Sequence, residues 1–466
     1  MKQEYVKAPE LRFHGGFAGA LAPFLLFLTG VAWLAWSGAP DERGFWPLLV
    51  LALGLGLALA IDRRVYSDAL VRGMSQPIVA LMILAWLLAG LMAEILSAAG
   101  FVDSVIWLTS VTGVAGAGFV VVSFLLCCVV STATGTSLGT LLLCAPLLYP
   151  AGVTLGADPA VLMGALVGGA TFGDNISPVS DTTIASAGTQ GATIGDVVRS
   201  RMRYALPAAA VALIAYGFLG GSGTQAVPQA LTLSAEALPL ALAPLSTLIL
   251  LLTGRHLVHG LIVGVAVAAV MGMLLGLLSP ADFIHIDPGS FRADGILLAG
   301  LERGVGVSVF TLLLMALVGA LAASGFLDAL LTKISKPARD HAATEWTIFG
   351  AASAAVLITT HSVVALLAVG PLTRQIGERQ GLTPTRRANL LDLTVCTWPF
   401  LLPHCIPTVL AASLTAGVAS QAVTTAPALS PWTVGIHNFH SWALLAVLLL
   451  AIMTGFGRKA DRPGDP

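Results

Sequence analysis

The eleven residues Gly173–Thr183, GDNISPVSDTT, decide how this chain is read. They follow the apolar run VLMGALVGGATF at 161–172 and precede the softer IASAGTQGAT at 184–193. Two aspartates, four hydroxyl side chains, an asparagine and a proline thus stand where a lipid-facing helix would otherwise continue. Pro178 has no amide hydrogen and its ring clashes with the carbonyl four residues earlier, at Asp174, so a helix running through this segment must open there. The weakly apolar arm at 184–193 favours a plain loop at the end of a span. Against that, a helix over 160–172 reaches only ~20 Å, short of the ~30 Å hydrocarbon core, and leaves Asp174 and Asp181 in lipid unless they line a cavity.

The rest of the chain sets this stretch in a bilayer. Of 466 residues, 56% are hydrophobic and 10% are Asp, Glu, Lys or Arg, against ~25% charged residues in a soluble domain. A formal net charge of -1 offers no basic excess for nucleic acid, and no acidic tail or low-complexity tract suggests disorder. Runs of crossing length, roughly 17–25 residues, fall at 17–37, 44–62, 77–99, 160–187, 205–220, 238–254, 257–278, 304–324, 388–418 and 432–455. No small-residue cleavage site follows the first run, which reads as an uncleaved span. Cys127, Cys128, Cys144, Cys396 and Cys405 lack metal-ligand spacing and read as packing residues.

Basic residues orient the spans, because cytoplasmic loops retain Lys and Arg. With the N-terminus inside, 20 of the 23 basic residues fall on the inner side, including Lys2, Lys7, Arg12, Arg199, Arg201, Arg203, Lys336, Arg339, Arg386, Arg387, Lys459 and Arg462. Only Arg43, Arg292 and Arg303 fall outside. Both termini are therefore expected in the cytoplasm.

Two further apolar stretches, 114–152 and 344–376, are split by the polar kernels STATGTS (131–137) and TTHS (359–362). Their limbs look short for full crossings, and bare backbone at depth is tolerated only beside protein or a water-filled cavity, so both read as re-entrant hairpins. Sliding the chain by 225 residues pairs Gly100, Phe101 and Asp103 with Gly325, Phe326 and Asp328 without a gap. The same shift pairs Thr134, Ser137 and Pro146 with Thr359, Ser362 and Pro371, and Pro178 and Thr183 with Pro403 and Thr408. An odd number of spans, five, separates equivalent points, so the second copy is expected to run through the membrane upside down. The expected fold is an all-α polytopic membrane protein of about ten transmembrane helices and two hairpins. Its first inverted repeat covers 1–220, a linker 221–237 and the second repeat 238–466, with broken helices at 160–187 and 388–418. Many secondary transporters are built this way, with their site at the midplane where the breaks meet.

Around the first break stand Asp174, Asn175, Ser177, Ser180, Asp181, Thr182 and Thr183, all oxygen donors of the kind hard cations prefer. A carboxylate in such a setting has its charged form disfavoured by desolvation and favoured by a bound cation, so one aspartate can trade a proton for Na+. Asp174 and Asp181 are the candidate ligands of the transported ion. The first kernel adds Thr132, Thr134, Gly135, Thr136 and Ser137; the second adds Thr359, Thr360, His361 and Ser362, and the second break His404 and Thr408. Hydroxyls at such points also serve to cap their own helices, and a lone buried histidine is more often a core residue than a proton carrier. Glu94, Asp103, Asp328 and Asp392 read as interfacial or scaffold residues.

The segment FGDNISPVSDTT resembles the signature of the NhaC-type sodium/proton antiporters of the ion-transporter superfamily, matching at Gly173, Asp174, Ser177, Pro178, Ser180, Asp181, Thr182 and Thr183. Asn175 stands where a lysine is frequent, and TWPFLLPHCIPT at the second break is unlike the commoner tryptophan-asparagine form. The resemblance implies a secondary transporter over essentially the whole chain, a homodimer whose transport domain moves like an elevator. It implies exchange of Na+ for H+, with coupled exchange of small organic acids such as malate and lactate, or of an amino acid, as the alternative. The expected location is the plasma membrane, the inner membrane of a bacterium. No resident cofactor is expected, since Na+ and H+ are cargo. A channel needs a continuous pore rather than paired breaks. An enzyme is disfavoured because HLVH at 256–259 lacks a metalloprotease glutamate and no nucleophile motif is present.

Overall fold

The computed structural model describes residues 11–37, 42–178, 180–221, 234–253, 255–287, 292–334, 340–416 and 426–458. The first half runs α1 (Phe17–Trp36), α2 (Phe45–Leu59), α3 (Arg63–Met74), α4 (Pro77–Ala98), α5 (Phe101–Thr112), α6 (Gly116–Thr134), α7 (Ser137–Thr154), α8 (Pro159–Ile176), α9 (Asp181–Gln190) and α10 (Ile194–Leu219). The second runs α11 (Leu242–Leu252), α12 (Leu257–Leu274), α13 (Pro280–Phe283), the strands β1 (His285–Asp287) and β2 (Arg292–Asp294), α14 (Ile296–Ala323), α15 (Phe326–Ile334), α16 (His341–Thr359), α17 (Ser362–Arg379), α18 (Pro384–Val395), α19 (Ile406–Ser413), α20 (Pro431–His437) and α21 (Phe439–Thr454). Among the described residues eight helices are long and apolar enough to cross a membrane, or nine if bent α20–α21 counts as one span. The protein is thus all-α in its membrane-crossing part and polytopic. β1 and β2 form a small antiparallel pair with His285 opposite Asp294, a feature the apolar pattern does not signal.

α8 is the centre of the molecule. Asp158 caps it by accepting a hydrogen bond from the Val161 amide (2.9 Å), and Pro159 fills the first helical position, where its missing amide costs nothing. Every residue from Val161 to Asn175 is buried, as expected of a helix apolar on all faces. Small residues make this possible. A Cβ on Gly169 would lie 2.4 Å from the Phe124 carbonyl oxygen of α6, and one on Gly173 would lie 2.4 Å from both the Ser131 Cβ and the Thr132 amide nitrogen. α6 therefore packs backbone to backbone on α8, and Ser131 Oγ seals the contact by donating to the Ala170 carbonyl at 2.5 Å.

Helix starts recur through the two halves. Phe101 and Phe326, Gly116 and His341, Ser137 and Ser362, Pro159 and Pro384, and Asp181 and Ile406 each begin a helix and each pair lies 225 residues apart. The turns recur too: Gly135 (φ 68°) and Thr360 (φ 55°) both take the left-handed conformation between the limbs of their hairpins. A glycine accepts this without strain, whereas a β-branched threonine does so only where its surroundings over-determine it.

Several elements depart from the apolar pattern. The limbs at the kernels are longer than expected, 19 and 18 residues for α6 and α7 and likewise for α16 and α17. Each limb measures about 27–29 Å, because the kernel residues continue the helices almost to the turn. α10 begins at Ile194 rather than near 205, since Arg199, Arg201 and Arg203 mask the apolar face while Arg201 turns wholly inward. α14 begins at Ile296 rather than near 304, its charged Arg303 being paired with Glu94 of α4 at 2.6 Å. The run at 432–455 bends by 57° between α20 and α21. Asn438 sits at the bend, capping α21 through the Ser441 amide and donating to the Phe400 carbonyl. α3, α5 and α15 lie outside the expected spans. Residues 222–233 of the expected linker, residues 417–418 of the expected span 388–418, Lys2, Lys7, Lys336, Arg339, Lys459, Arg462 and the Asp328 side chain lie outside what is described.

Gly173→Val should force α6 away from α8 at backbone atoms that cannot yield. The expected result is a destabilisation of about 1–3 kcal/mol, as for other overpacked cores, read as a lower midpoint in detergent thermal unfolding. An unchanged midpoint would show that the two helices are not in backbone contact.

Candidate functional site

The expected opening of the helix is present. α8 ends at Ile176, the Ser177 amide makes the last helical bond to the Gly173 carbonyl (3.0 Å), and α9 starts at Asp181. Asp174 occupies the last turn of α8 and is 6% exposed. Its carboxylate accepts two hydrogen bonds, from Ser137 Oγ at 2.8 Å and from Ser180 Oγ at 2.7 Å. Ser137 opens α7 directly after the hairpin turn, whereas Ser180 ends the break itself. One carboxylate thus ties the tip of the first hairpin to the broken helix. Ser180 Oγ also lies 3.0 Å from Thr182 Oγ1, extending the network into α9.

A cavity of about 140 Å³ lies beside this carboxylate. Its polar wall is Asp174, Asp181, Thr182, Thr136 and Ser137 from the first half, with Thr360, His361 and Ser362 from the second. Pro399, Phe400, Ile406 and Pro407 of the second break and Trp86 of α4 supply apolar wall. Asp181 faces the cavity and is solvent-accessible, unlike buried Asp174. The lining is paired: Thr136 with His361, Ser137 with Ser362, Leu138 with Val363, Asp174 with Pro399, Asp181 with Ile406 and Thr182 with Pro407 stand 225 residues apart. Four helix N-termini, those of α7, α9, α17 and α19, meet there. Their dipoles favour negative charge at this point.

The remaining candidate residues stand behind the wall. Thr134 Oγ1 lies 3.5 Å from Thr140 Oγ1, and Gly135 forms the turn. Thr359 Oγ1 donates to the His361 carbonyl at 3.2 Å. Thr408 Oγ1 lies within hydrogen-bond distance of the Leu402 and Cys405 carbonyls freed by the second break, at 2.5 and 2.9 Å. His404 Nε2 lies 3.3 Å from the Leu357 carbonyl, with its ring edge-on to Phe24. Ser177 is buried at the break, and Asn175 is buried with no side-chain partner among the described residues. All five cysteines are buried free thiols.

Sequence reasoning missed the residue that braces the break. Arg201 of α10 is fully buried and donates to the Asn175 carbonyl (2.7 Å), to Thr183 Oγ1 (2.8 Å) and to Ser186 Oγ (3.3 Å), gripping both arms of the opened helix. On its other side it donates to Asn389 Oδ1 at 3.1 Å and is ion-paired with Asp392, both on α18 of the second half. Arg201 thus fastens the first break to the second half. Counting it with loop residues hid this role. The available signal was Asp392, an acid inside an apolar run that demands a cation somewhere.

Removing one partner of a fully buried ion pair leaves a naked charge, at a cost of about 3–5 kcal/mol, whereas an apolar replacement of both is far milder. Asp392→Leu should therefore lower the thermal midpoint more than the double variant Arg201→Met/Asp392→Leu does. Additive losses in the double variant would mean that the two side chains do not interact.

Similarity to known proteins converges on the same segment. A profile described as the Na+/H+ antiporter family matches residues 25–221, which hold the first hairpin, the first break and Arg201. The chain is 27% identical over 308 residues to the Na(+)/H(+) antiporter NhaC of Alkalihalophilus pseudofirmus, covering 62% of this chain and 65% of that protein. It is 26% identical over 206 residues to the Malate-2H(+)/Na(+)-lactate antiporter of Bacillus subtilis, covering 44% and 42% of the two chains. It is 28% identical over 234 residues to the Na(+)/H(+) antiporter NhaC of Bacillus subtilis, covering 46% and 51%. The matched stretches span between 42% and 65% of these relatives' own lengths, less than two thirds in each case. By the family match and the NhaC relatives, this chain belongs to the NhaC-type Na+/H+ antiporter family.

Proposed function

We propose that the protein is a secondary active transporter that exchanges Na+ for H+ at the cavity beside Asp174. One observation carries the reading: a buried carboxylate, a second acid and several hydroxyls face a small cavity to which both halves contribute equivalent positions. Oxygen donors of this kind suit a hard cation. A volume of about 140 Å³ is below the ~300–1,000 Å³ of pockets for larger organic ligands, which favours an ion with little hydration. Na+ and a proton compete for the same carboxylates, so binding one expels the other. Because the two acids are close neighbours in one network, their protonation belongs to the pair.

The two halves act in this proposal as inverted-topology repeats, 1–220 and 238–466, joined through 221–237. Recurrence of helix starts, left-handed turns and cavity-lining positions at a spacing of 225 supports it. The cytoplasmic termini rest on the distribution of Lys and Arg. Elevator-type alternating access, the homodimer and the bacterial inner membrane rest on the family resemblance.

A second reading is exchange coupled to a small carboxylate. It is favoured by the four helix N-termini at the cavity and by His361, whose Nδ1 has no hydrogen-bond partner among the described residues. One relative is named as a malate/lactate antiporter. In proteoliposomes loaded with a pH dye, an inward Na+ gradient should alkalinise the lumen, and Asp174→Asn or Asp181→Asn should reduce the response to that of protein-free vesicles. Wild-type rates in both variants would place the site elsewhere. Repeating the measurement with malate, lactate or amino acids separates the readings: a pH change that needs one of them selects coupled exchange.

A further inference from the structure

A second cavity, of about 410 Å³, lies between α10 and the first turns of α18, remote from the wall of the ion cavity. Asp196, Arg199, Ser200 and Arg203 occupy one face of α10 at helical spacing and line one side of it. Thr383, Thr385, Arg386 and Asn389 of α18 line the other.

The charge around this space does not cancel. Arg386 is fixed by Glu345 at 2.8 and 3.0 Å, but the same carboxylate also holds Arg458 at 2.7 Å, so that trio retains one positive charge. Arg199 meets Asp196 only at 3.7 Å, with both side chains more than half exposed, a pairing worth little. Arg203 has no acid within 4.0 Å among the described residues. Thr385, in the first turn of α18, adds a hydroxyl with no hydrogen-bond partner among them. Three guanidiniums and free donors against one lining carboxylate repel a cation and suit a divalent oxyanion, for which arginine forks have matching geometry.

We propose that this cavity is a binding site for a phosphate group, distinct from the ion cavity and not dependent on the exchange reaction proposed above. The chemistry fits either free phosphate or the phosphate of an anionic lipid headgroup. Its floor is tied to the first break: Asn389 is hydrogen-bonded to Ser200 and accepts from Arg201, which holds the Asn175 carbonyl. An occupant therefore sits against the brace of the opened helix.

The test uses the full-length protein and the double variant Arg199→Gln/Arg203→Gln, neither residue touching the ion cavity. Thermal unfolding is followed in detergent against inorganic phosphate at constant ionic strength, and in nanodiscs of phosphatidylcholine with or without phosphatidylglycerol. The expected result is a saturable rise in midpoint for the wild type, with apparent affinity weakened at least ~tenfold in the variant. A response to inorganic phosphate assigns the site to the free anion, and a response to phosphatidylglycerol alone assigns it to the headgroup. No response in either setting, or equal responses in wild type and variant, would overturn the proposal.

Discussion

The Asp174 carboxylate, held between Ser137 and Ser180, is the contact on which the rest of the architecture depends. A buried carboxylate without hydrogen-bond partners is costly, and Asp174 cannot escape outward because α8 is enclosed along its length. The partners must come to it. Ser180 comes from the break, whose position Pro178 dictates; Ser137 comes from a hairpin tip that must be delivered to the same depth. That delivery requires the left-handed turn at Gly135 and the backbone contact of α6 with α8, hence glycine at 169 and 173.

The two halves share a scaffold but divide the chemistry. At equivalent lining positions the first half offers Asp174, Asp181 and Thr182, and the second offers Pro399, Ile406 and Pro407. The cavity thus has an acidic face and an apolar face, with His361 replacing Thr136 in the second copy. Arg201 and Asp392 cross between the halves behind this cavity and neutralise one another. Such a pair adds little net stability over a well-packed apolar pair, so its value lies in fixing geometry: one guanidinium spans both arms of the break.

Much of the site was legible because it lies in short polar interruptions of a long apolar background. The opening at Pro178, the turn at Gly135 and the kernel at Thr360–Ser362 follow from local covalent and steric rules, which need no knowledge of neighbours. Arg201 was not legible, since a buried arginine and a loop arginine look alike until Asp392 is seen across from it. The starts of α10 and α14 were misplaced for a related reason: charges such as Arg303 are cancelled by a partner on a distant helix, Glu94, which a window along the chain cannot register. The bend at Asn438 was overlooked because its stabilising contact, the Phe400 carbonyl, is also distant in sequence. Among the candidate side chains, those that end up behind the wall, such as Thr408 and Thr359, are ones whose hydroxyls meet nearby carbonyls instead.

If Asp174 and Asp181 hold either proton or metal, binding Na+ must release protons from the protein itself, with no membrane gradient required. Calorimetric titration of the purified protein with Na+ in two buffers of different ionisation enthalpy measures that release directly. The expected result is a proton stoichiometry above zero that vanishes in Asp174→Asn/Asp181→Asn. Na+ binding with no proton released, or release unchanged in the double variant, would contradict a shared site at this break.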